Sequence, residues 1–437
     1  MAAEQISTDI RYLAENHPGY LEQVQRNYWR NFALFILEGC FFSFGFAIFA
    51  SDTILPYLVS ELTGNPFLVG LVPALNFLGY YLPQLFSAYF SQKLTRRKWM
   101  VITVAVVQRT TLLLITLAVQ TIFHLPEPLP LLLFFTAYSL FCFSNGFITP
   151  PYTDLVNKTI ISRRGLFYGL QIAGGSLAGF AGSLIARQML DNLAFPTNFQ
   201  QLFWVGFVVS LFSPVVMLFY REQPYPEPHP VEPLGNFFKV IPAKLRAYPL
   251  FTRVLMARGL MGLSFMATGF YAVYAVTHYN LNPGTVAVFT MVSLLTRSVM
   301  GLVWGAIGDR HGYRLVLACL ASMLALQSLL ALVVPDARVF YIVMMLTGAI
   351  NAALWVGDPN LVFETTPPAE TSRFIGISNT VLGPLMALSP LVGGLLVNYF
   401  SYQVLFAAAM IFALAGLGYV LLKVKEPRKL NGLTETE

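Results

Sequence analysis

Leu129-Pro-Leu-Leu-Leu-Phe-Phe-Thr-Ala-Tyr-Ser-Leu140 is apolar on every side and lacks the strict alternation of apolar and polar residues that a barrel strand carries. A helix of this kind has no face for water, so it belongs in a core or in lipid. The rest of the chain selects lipid. Of its 437 residues, 56% are hydrophobic and only 11% charged, with a mean hydropathy of +0.63. That leaves too few charged side chains to cover a water-soluble body of this size. Crossing a bilayer as a helix takes about 20 apolar residues. Such runs recur at 32–57, 66–91, 99–123, 129–157, 165–190, 201–220, 251–279, 284–308, 314–334, 338–363, 374–400 and 402–422. The expected fold is an all-α integral membrane protein, with twelve transmembrane helices in two pseudo-symmetric six-helix bundles.

Lys and Arg resist translocation, so they mark the cytoplasmic side. Except for Arg187, Arg338 and three arginines inside helices, every basic residue falls at the chain ends or in the even-numbered connections. Both termini are therefore expected in the cytoplasm, in a plasma-membrane protein. This bias accounts for the net charge of +6, and no nucleic-acid partner is expected. The polar first 30 residues do not read as a cleaved signal peptide. Arg221-Glu-Gln-Pro-Tyr-Pro-Glu-Pro-His-Pro-Val-Glu-Pro233 lacks the amide donors of a helix and reads as an extended spacer. The stretch after it mixes Phe237, Phe238 and Ile241 with Lys239, Lys244 and Arg246, which suits a membrane surface or a solvated linker. The domains are then a cytoplasmic segment 1–31, a bundle 32–220, a cytoplasmic Pro-rich linker 221–250, a bundle 251–422 and a cytoplasmic tail 423–437. Cys40, Cys142 and Cys319 stand singly in apolar runs, so neither a metal nor a disulfide framework is expected.

The halves repeat one another. Asp154 and Arg164 in the first half, and Glu364 and Arg373 in the second, flank a connection that leads into a Gly-rich helix. Trp29–Gly39 can be laid over Pro249–Gly259, which sets Glu38 opposite Arg258. Small-residue pairs Gly165/Gly169, Gly175/Gly179 and Gly301/Gly305 offer close backbone approach. A charge inside the bilayer costs about 2.5–3.5 kcal/mol on insertion scales, so it demands a reason. Glu38, Arg109, Arg258 and Arg297 fall in one layer, roughly 12–17 Å from the cytoplasmic helix ends. One reading is a cavity with surplus positive charge that draws in an anionic solute, with Glu38 and Arg258 in contact between the halves. The other is that each arginine snorkels or pairs inside its own half.

Gly305-Ala-Ile-Gly-Asp309-Arg310-His-Gly312-Tyr-Arg314 resembles the signature loop of the major facilitator superfamily, with support from Arg163-Arg164-Gly165 and Ser389-Pro390-Leu-Val-Gly393-Gly394. The first half departs from the pattern, with Ser91 and Gln92 in place of the Asp-Arg pair. The resemblance implies a cytoplasmic gate in which Asp309 faces the start of helix 5 while Arg310 and Arg314 reach Glu364. It also implies that helices 1, 4, 7 and 10 line a central cavity, bringing Asn145, Tyr271, Tyr274, Asn351, Trp355 and Asp358 towards a solute. Asp52 and Asp358 are the carboxylates available for proton coupling. The function expected is secondary or facilitative transport of a small solute, anionic or amphipathic, by a monomer embedded in the lipid bilayer. No cofactor is needed, because the chain has no nucleotide-binding P-loop motif. The opposing readings are a non-transporting receptor or a membrane-embedded enzyme on the same fold, and no hydrolase constellation is visible in the sequence.

Overall fold

The computed structural model describes residues 16–121, 124–126, 128–226, 234–367 and 370–426. The expected features before residue 16, at 227–233 and beyond 426 lie outside them. Among the described residues, twelve helices are long and apolar enough to cross a membrane. They are α1 Pro18–Ile48, α2 Pro66–Gln92, α3 Lys98–Gln120, α4 Leu129–Thr159, α5 Arg164–Asn192, α6 Thr197–Leu218, α7 Pro249–His278, α8 Thr285–His311, α9 Tyr313–Val333, α10 Val339–Thr365, α11 Arg373–Tyr399 and α12 Tyr402–Lys423. No β-strand occurs among the described residues.

Three boundaries differ from the sequence reading, each for a physical reason. Helix α1 begins at Pro18 rather than 32, because hydropathy marks only the part in lipid while the polar turns before it gain partners of their own. Asn31 shows this: its side chain accepts from the Arg221 amide at 3.0 Å and donates to the Arg221 carbonyl at 2.9 Å. Within the 221–250 connection, the stretch after the Pro-rich spacer, read from the sequence as a membrane-surface segment or a solvated linker, is helical. Leu234–Ala247 is a helix, held to the second half by Phe237 packed on Gly376 and by Lys244 paired with Glu370 at 2.5 Å. Helix α7 is interrupted near Phe265–Ala267, where Gly269 takes a positive φ of 85° that only glycine adopts without strain.

The repeat extends to how each half is tied on the side of the termini. Lys98, which opens α3, donates to the carbonyls of Leu218 and Tyr220 after α6, at 2.8 and 2.7 Å. Arg314, opening α9, donates to the carbonyls of Val424 and Leu421 at the end of α12, at 2.7 and 3.3 Å. Both use a cation to satisfy helix C-terminal carbonyls that have no partner within their own helix. Glu222 completes the first-half tie by accepting from the Arg97 and Lys98 amides at 2.8 and 2.7 Å. Burial pushes its carboxyl above the usual range in spite of these donors.

The halves meet unequally along their length. On the side away from the termini, a single apolar cluster draws on both, including Phe49, Leu58, Phe134 and Phe203 from the first and Phe270, Phe289, Phe340 and Phe406 from the second. Thr53 and Thr290 hydrogen-bond across it at 2.5 Å; because Thr290 gives its own proton to the Val286 carbonyl, Thr53 is the donor. The Gly284 amide donates to Asp191 at 2.9 Å, joining α8 to α5. Glycines bring α2 against α11, since a Cβ on Gly70 would stand 2.3 Å from the Pro390 carbonyl and one on Gly394 2.6 Å from that of Pro66. Towards the termini, α5 and α8 part. Gly179 still packs on Leu294 and Ser176 bonds Ser298, but Gly165, Gly169, Gly301 and Gly305 have no atom within 4 Å of where a Cβ would stand. Of the expected close-approach pairs, only Gly175 and Gly179 are engaged; the others stand open on the separated side.

Inside the first half, a Cβ on Gly146 would fall 2.1 Å from the Gly79 carbonyl, so α2 and α4 touch backbone to backbone. Gly146→Ala is therefore expected to destabilise the chain by about 1–3 kcal/mol through overpacking. Thermal unfolding in detergent should show the loss, while Gly301→Ala, which meets open space, should leave the transition in place.

Candidate functional site

Between the halves lies a cavity of about 500 Å³. It runs from the Thr53–Thr290 region towards the termini, along α4 to Thr153 and along α10 to Val362. Of the residues singled out in the sequence, Asn145, Tyr271, Arg297, Asn351, Trp355 and Asp358 line it, as does Asp52. Asp52 follows the break after Ile48 and lies at the cavity. Glu38, Arg109, Arg258 and Tyr274 do not line it.

The expected Glu38–Arg258 contact is absent. Glu38 is buried in the first half, accepting from Tyr152 at 2.8 Å and from Ser213 at 2.7 Å. Ser213 in turn accepts from Arg109 at 2.7 Å, and Arg109 also donates to the Ser210 carbonyl at 3.1 Å and to Gln108. Arg258 pairs with Asp358 inside the second half. The repeat does place Glu38 and Arg258 alike, but each turns to the fourth helix of its own bundle, to Tyr152 on α4 and to Asp358 on α10. Half of this arrangement reaches the cavity, because Gln108 donates to Asn145 at 3.4 Å and Asp358 shows its carboxylate there.

The expected surplus of positive charge is likewise corrected. With Arg109 withdrawn into the bundle and Arg258 compensated, the charges at the cavity are Asp52 from the first half, Arg297 from the second, and the Arg258–Asp358 pair at its wall. The Arg297 guanidinium lies 5.3 Å from the Trp355 ring centroid. Tyr274 sits instead in an aromatic cluster, stacked on His278 at 4.7 Å and packed on Tyr402 at 4.9 Å.

Hydropathy missed the contribution of α2 to the cavity wall. Asn76, Tyr80, Tyr81 and Gln84 line it, and Gln84 accepts from Asn379 of α11 at 3.0 Å, a polar bond between the halves. Their spacing of four residues, with one offset, was the available signal: a polar and aromatic stripe on an otherwise apolar helix. Gln327 is also at the wall, its amide spent on Thr347 at 2.6 Å and the Val343 carbonyl at 3.1 Å.

The gate residues are engaged locally. Asp154 pairs with Arg97 at 2.6 Å and Lys158 at 2.8 Å, whereas Arg164 donates to the Ile160 and Asn157 carbonyls at 2.9 and 2.8 Å. Asp309 accepts from Tyr313 at 3.0 Å. Arg314 is committed to α12 rather than reaching Glu364, because the α9 start abuts the α12 end. Arg373 lies 3.6 Å from Glu370. Gly312 has a φ of +86°, the turn that lets α9 follow α8 directly, and a Cβ there would strike Glu426. Gly305 and Arg310 fall in the last turns of α8, on the side where the halves separate.

Comparison with known proteins agrees with this geometry. A rubrofusarin-specific efflux pump of Gibberella zeae is 26% identical over 120 residues, 28% of this chain and 22% of that protein. A tetracenomycin C resistance and export protein of Streptomyces glaucescens is 28% identical over 131 residues, 30% of this chain and 24% of that protein. The matches thus span about a quarter of each relative's length. Among solved structures, a mutant form of the nucleoside transporter NupG superposes with a TM-score of 0.72 at 14% identity, covering 90% of this chain and all of that one (100%). A peptide transporter of the POT family bound to alafosfalin gives 0.67 at 13% identity over 93% of this chain and 96% of that one. These two likenesses concern the fold. The Major Facilitator Superfamily profile matches residues 37–276 and 254–437, and with two six-helix halves closed over a shared cavity, the chain belongs to that superfamily.

Proposed function

We propose that this chain is a secondary transporter that carries a small amphipathic organic solute by alternating access, and that the structure represents the conformation open to the cytoplasm. One observation carries the reading: a cavity between two bundles that share an apolar seal at one end and part at the other. The basic residues gather on the side of the termini, which supports a cytoplasmic placement for it. Export is the favoured direction, since both curated relatives are named as exporters.

The lining suits an amphipathic solute. Phe46, Phe77, Phe265 and Trp355 supply apolar and aromatic surface, with Asn76, Asn145, Asn351 and Asn379 as hydrogen-bonding groups. Asp52 and Asp358 are the carboxylates able to exchange protons with cavity water, which makes proton coupling the form of energy input tested first. In the alternate state, the charges at Asp309, Arg310, Glu364 and Arg373 would close the cytoplasmic side. An enzyme or receptor on this fold would show no solute flux. Reconstitution into liposomes, with anionic, neutral and cationic solutes under an imposed pH gradient, decides between them.

Two further outcomes are expected. With Cys40, Cys142 and Cys319 replaced by alanine, Thr53→Cys and Thr290→Cys should form a disulfide across the seal on oxidation. Transport should stop in the oxidised form and return on reduction; unimpeded flux through the oxidised form would contradict alternating access.

The buried charges separate structure from site. Arg109→Gln leaves Glu38 buried with its cation gone, and should cost about 3–5 kcal/mol of stability. Adding Glu38→Gln should restore much of that in a double-mutant cycle. Asp358→Asn likewise leaves buried Arg258 without its carboxylate, so it too should lower the unfolding temperature in detergent, and because Asp358 also lines the cavity it should slow transport as well.

A further inference from the structure

The cavity contains one feature that packing does not explain. Trp355 has 56% of its surface open although it lines a membrane-embedded cavity, where a structural tryptophan would be packed. Arg297 stands over its ring at 5.3 Å. Among the described residues, no carboxylate comes within ion-pair distance of Arg297, in contrast to Arg109 and Arg258, whose hydrogen bonds and ion pair hold them in place. Tyr80 presents an edge to the same indole, with centroids 6.0 Å apart and planes at 63°.

We propose that Trp355 and Arg297 form a binding platform for a planar aromatic solute that carries an acidic group. This rests on the transporter reading for its biological use, and it names the substrate class of that cavity. An aromatic ring laid on the open indole removes two apolar surfaces from water, and offset or edge-on contact with Trp355 and Tyr80 adds geometric preference. The guanidinium fork takes a carboxylate in a planar, bidentate arrangement that the ammonium of a lysine does not reproduce. Asn351, one turn before Trp355 on α10, also lines the cavity and adds a hydrogen-bonding group. Because Tyr80 belongs to the first half and Trp355 and Arg297 to the second, one solute touches both bundles, so its binding bears on how they rock. Asp52, from the first half, lines the same cavity, which favours a monoanion over a dianion.

The test uses the full chain purified in detergent, with 2-naphthoate as probe, and reads quenching of the fluorescence of its five tryptophans. 2-Naphthoate should bind at least tenfold more tightly than cyclohexanecarboxylate, which has the charge without the plane. It should likewise exceed neutral 2-acetylnaphthalene, which has the plane without the charge. Trp355→Ala should weaken 2-naphthoate about tenfold, equivalent to about 1.4 kcal/mol, while Trp355→Phe restores most of the affinity. Because Trp355 variants also lose a fluorophore, equilibrium dialysis with labelled probe gives their affinities. Arg297→Gln should weaken 2-naphthoate and leave 2-acetylnaphthalene unchanged, a selectivity that misfolding would not produce. Equal affinity for all three probes, no measurable binding, or 2-naphthoate affinity unaffected by Trp355→Ala and Arg297→Gln would overturn the proposal. Liposome flux separates it from the broader reading. Flux of another solute without naphthoate binding refutes only the platform, and binding without any flux refutes only transport.

Discussion

In hydrocarbon there is no water to satisfy a stranded charge, so each buried charge needs a partner within the protein. The structure meets this constraint by compensating its buried charges within each bundle. Arg109 and Glu38 are joined through Ser213 in the first half, and Arg258 is paired with Asp358 in the second. What remains between the halves is separable: hydroxyl pairs, the Asn379–Gln84 bond, the Gly284 amide on Asp191, glycine-mediated backbone contacts and apolar side chains. Such contacts can be exchanged for another set without exposing an unpaired ion.

That division of labour explains the asymmetry along the membrane normal. On the side away from the termini, the core is common to both halves; nearer the termini, one apolar cluster forms around Phe32, Phe35 and Phe167 in the first half and another around Phe251, Leu317 and Phe374 in the second. Helix α2 carries contact between the halves further towards the termini, through Tyr81 and Leu85. The interhelical ties at Lys98 and Arg314 keep each bundle intact on the open side, where neither can lean on the other.

The cavity inherits its chemistry from the same constraint. Charges that stabilise a bundle are withdrawn from it or held at its wall, leaving Asp52 from the first half and Arg297 from the second at the cavity surface. Aromatic rings form part of the remaining wall, and Trp355 stays more than half exposed, with Arg297 over its ring and Tyr80 at its edge.

The sequence by itself determined the solvent, the number of spans, the twofold repeat and the family signature, since each is written in local composition or short spacing. Hydropathy counts residues in lipid whatever their neighbours, and the turn at Gly312 needs only its own backbone. Asn145, Asn351, Trp355 and Asp358, expected at the cavity from the family resemblance, and Arg297, read as a charge inside the bilayer, line that cavity. Tertiary structure alone decided which partner each took. Repeat symmetry put Glu38 and Arg258 in equivalent places but is silent on rotation about the helix axis, and that rotation turns each inward to its own bundle. The same holds for the stripe on α2 and for Arg314, whose contacts lie far away in sequence: a side chain's direction across a helix interface is fixed by packing, which one-dimensional spacing does not encode.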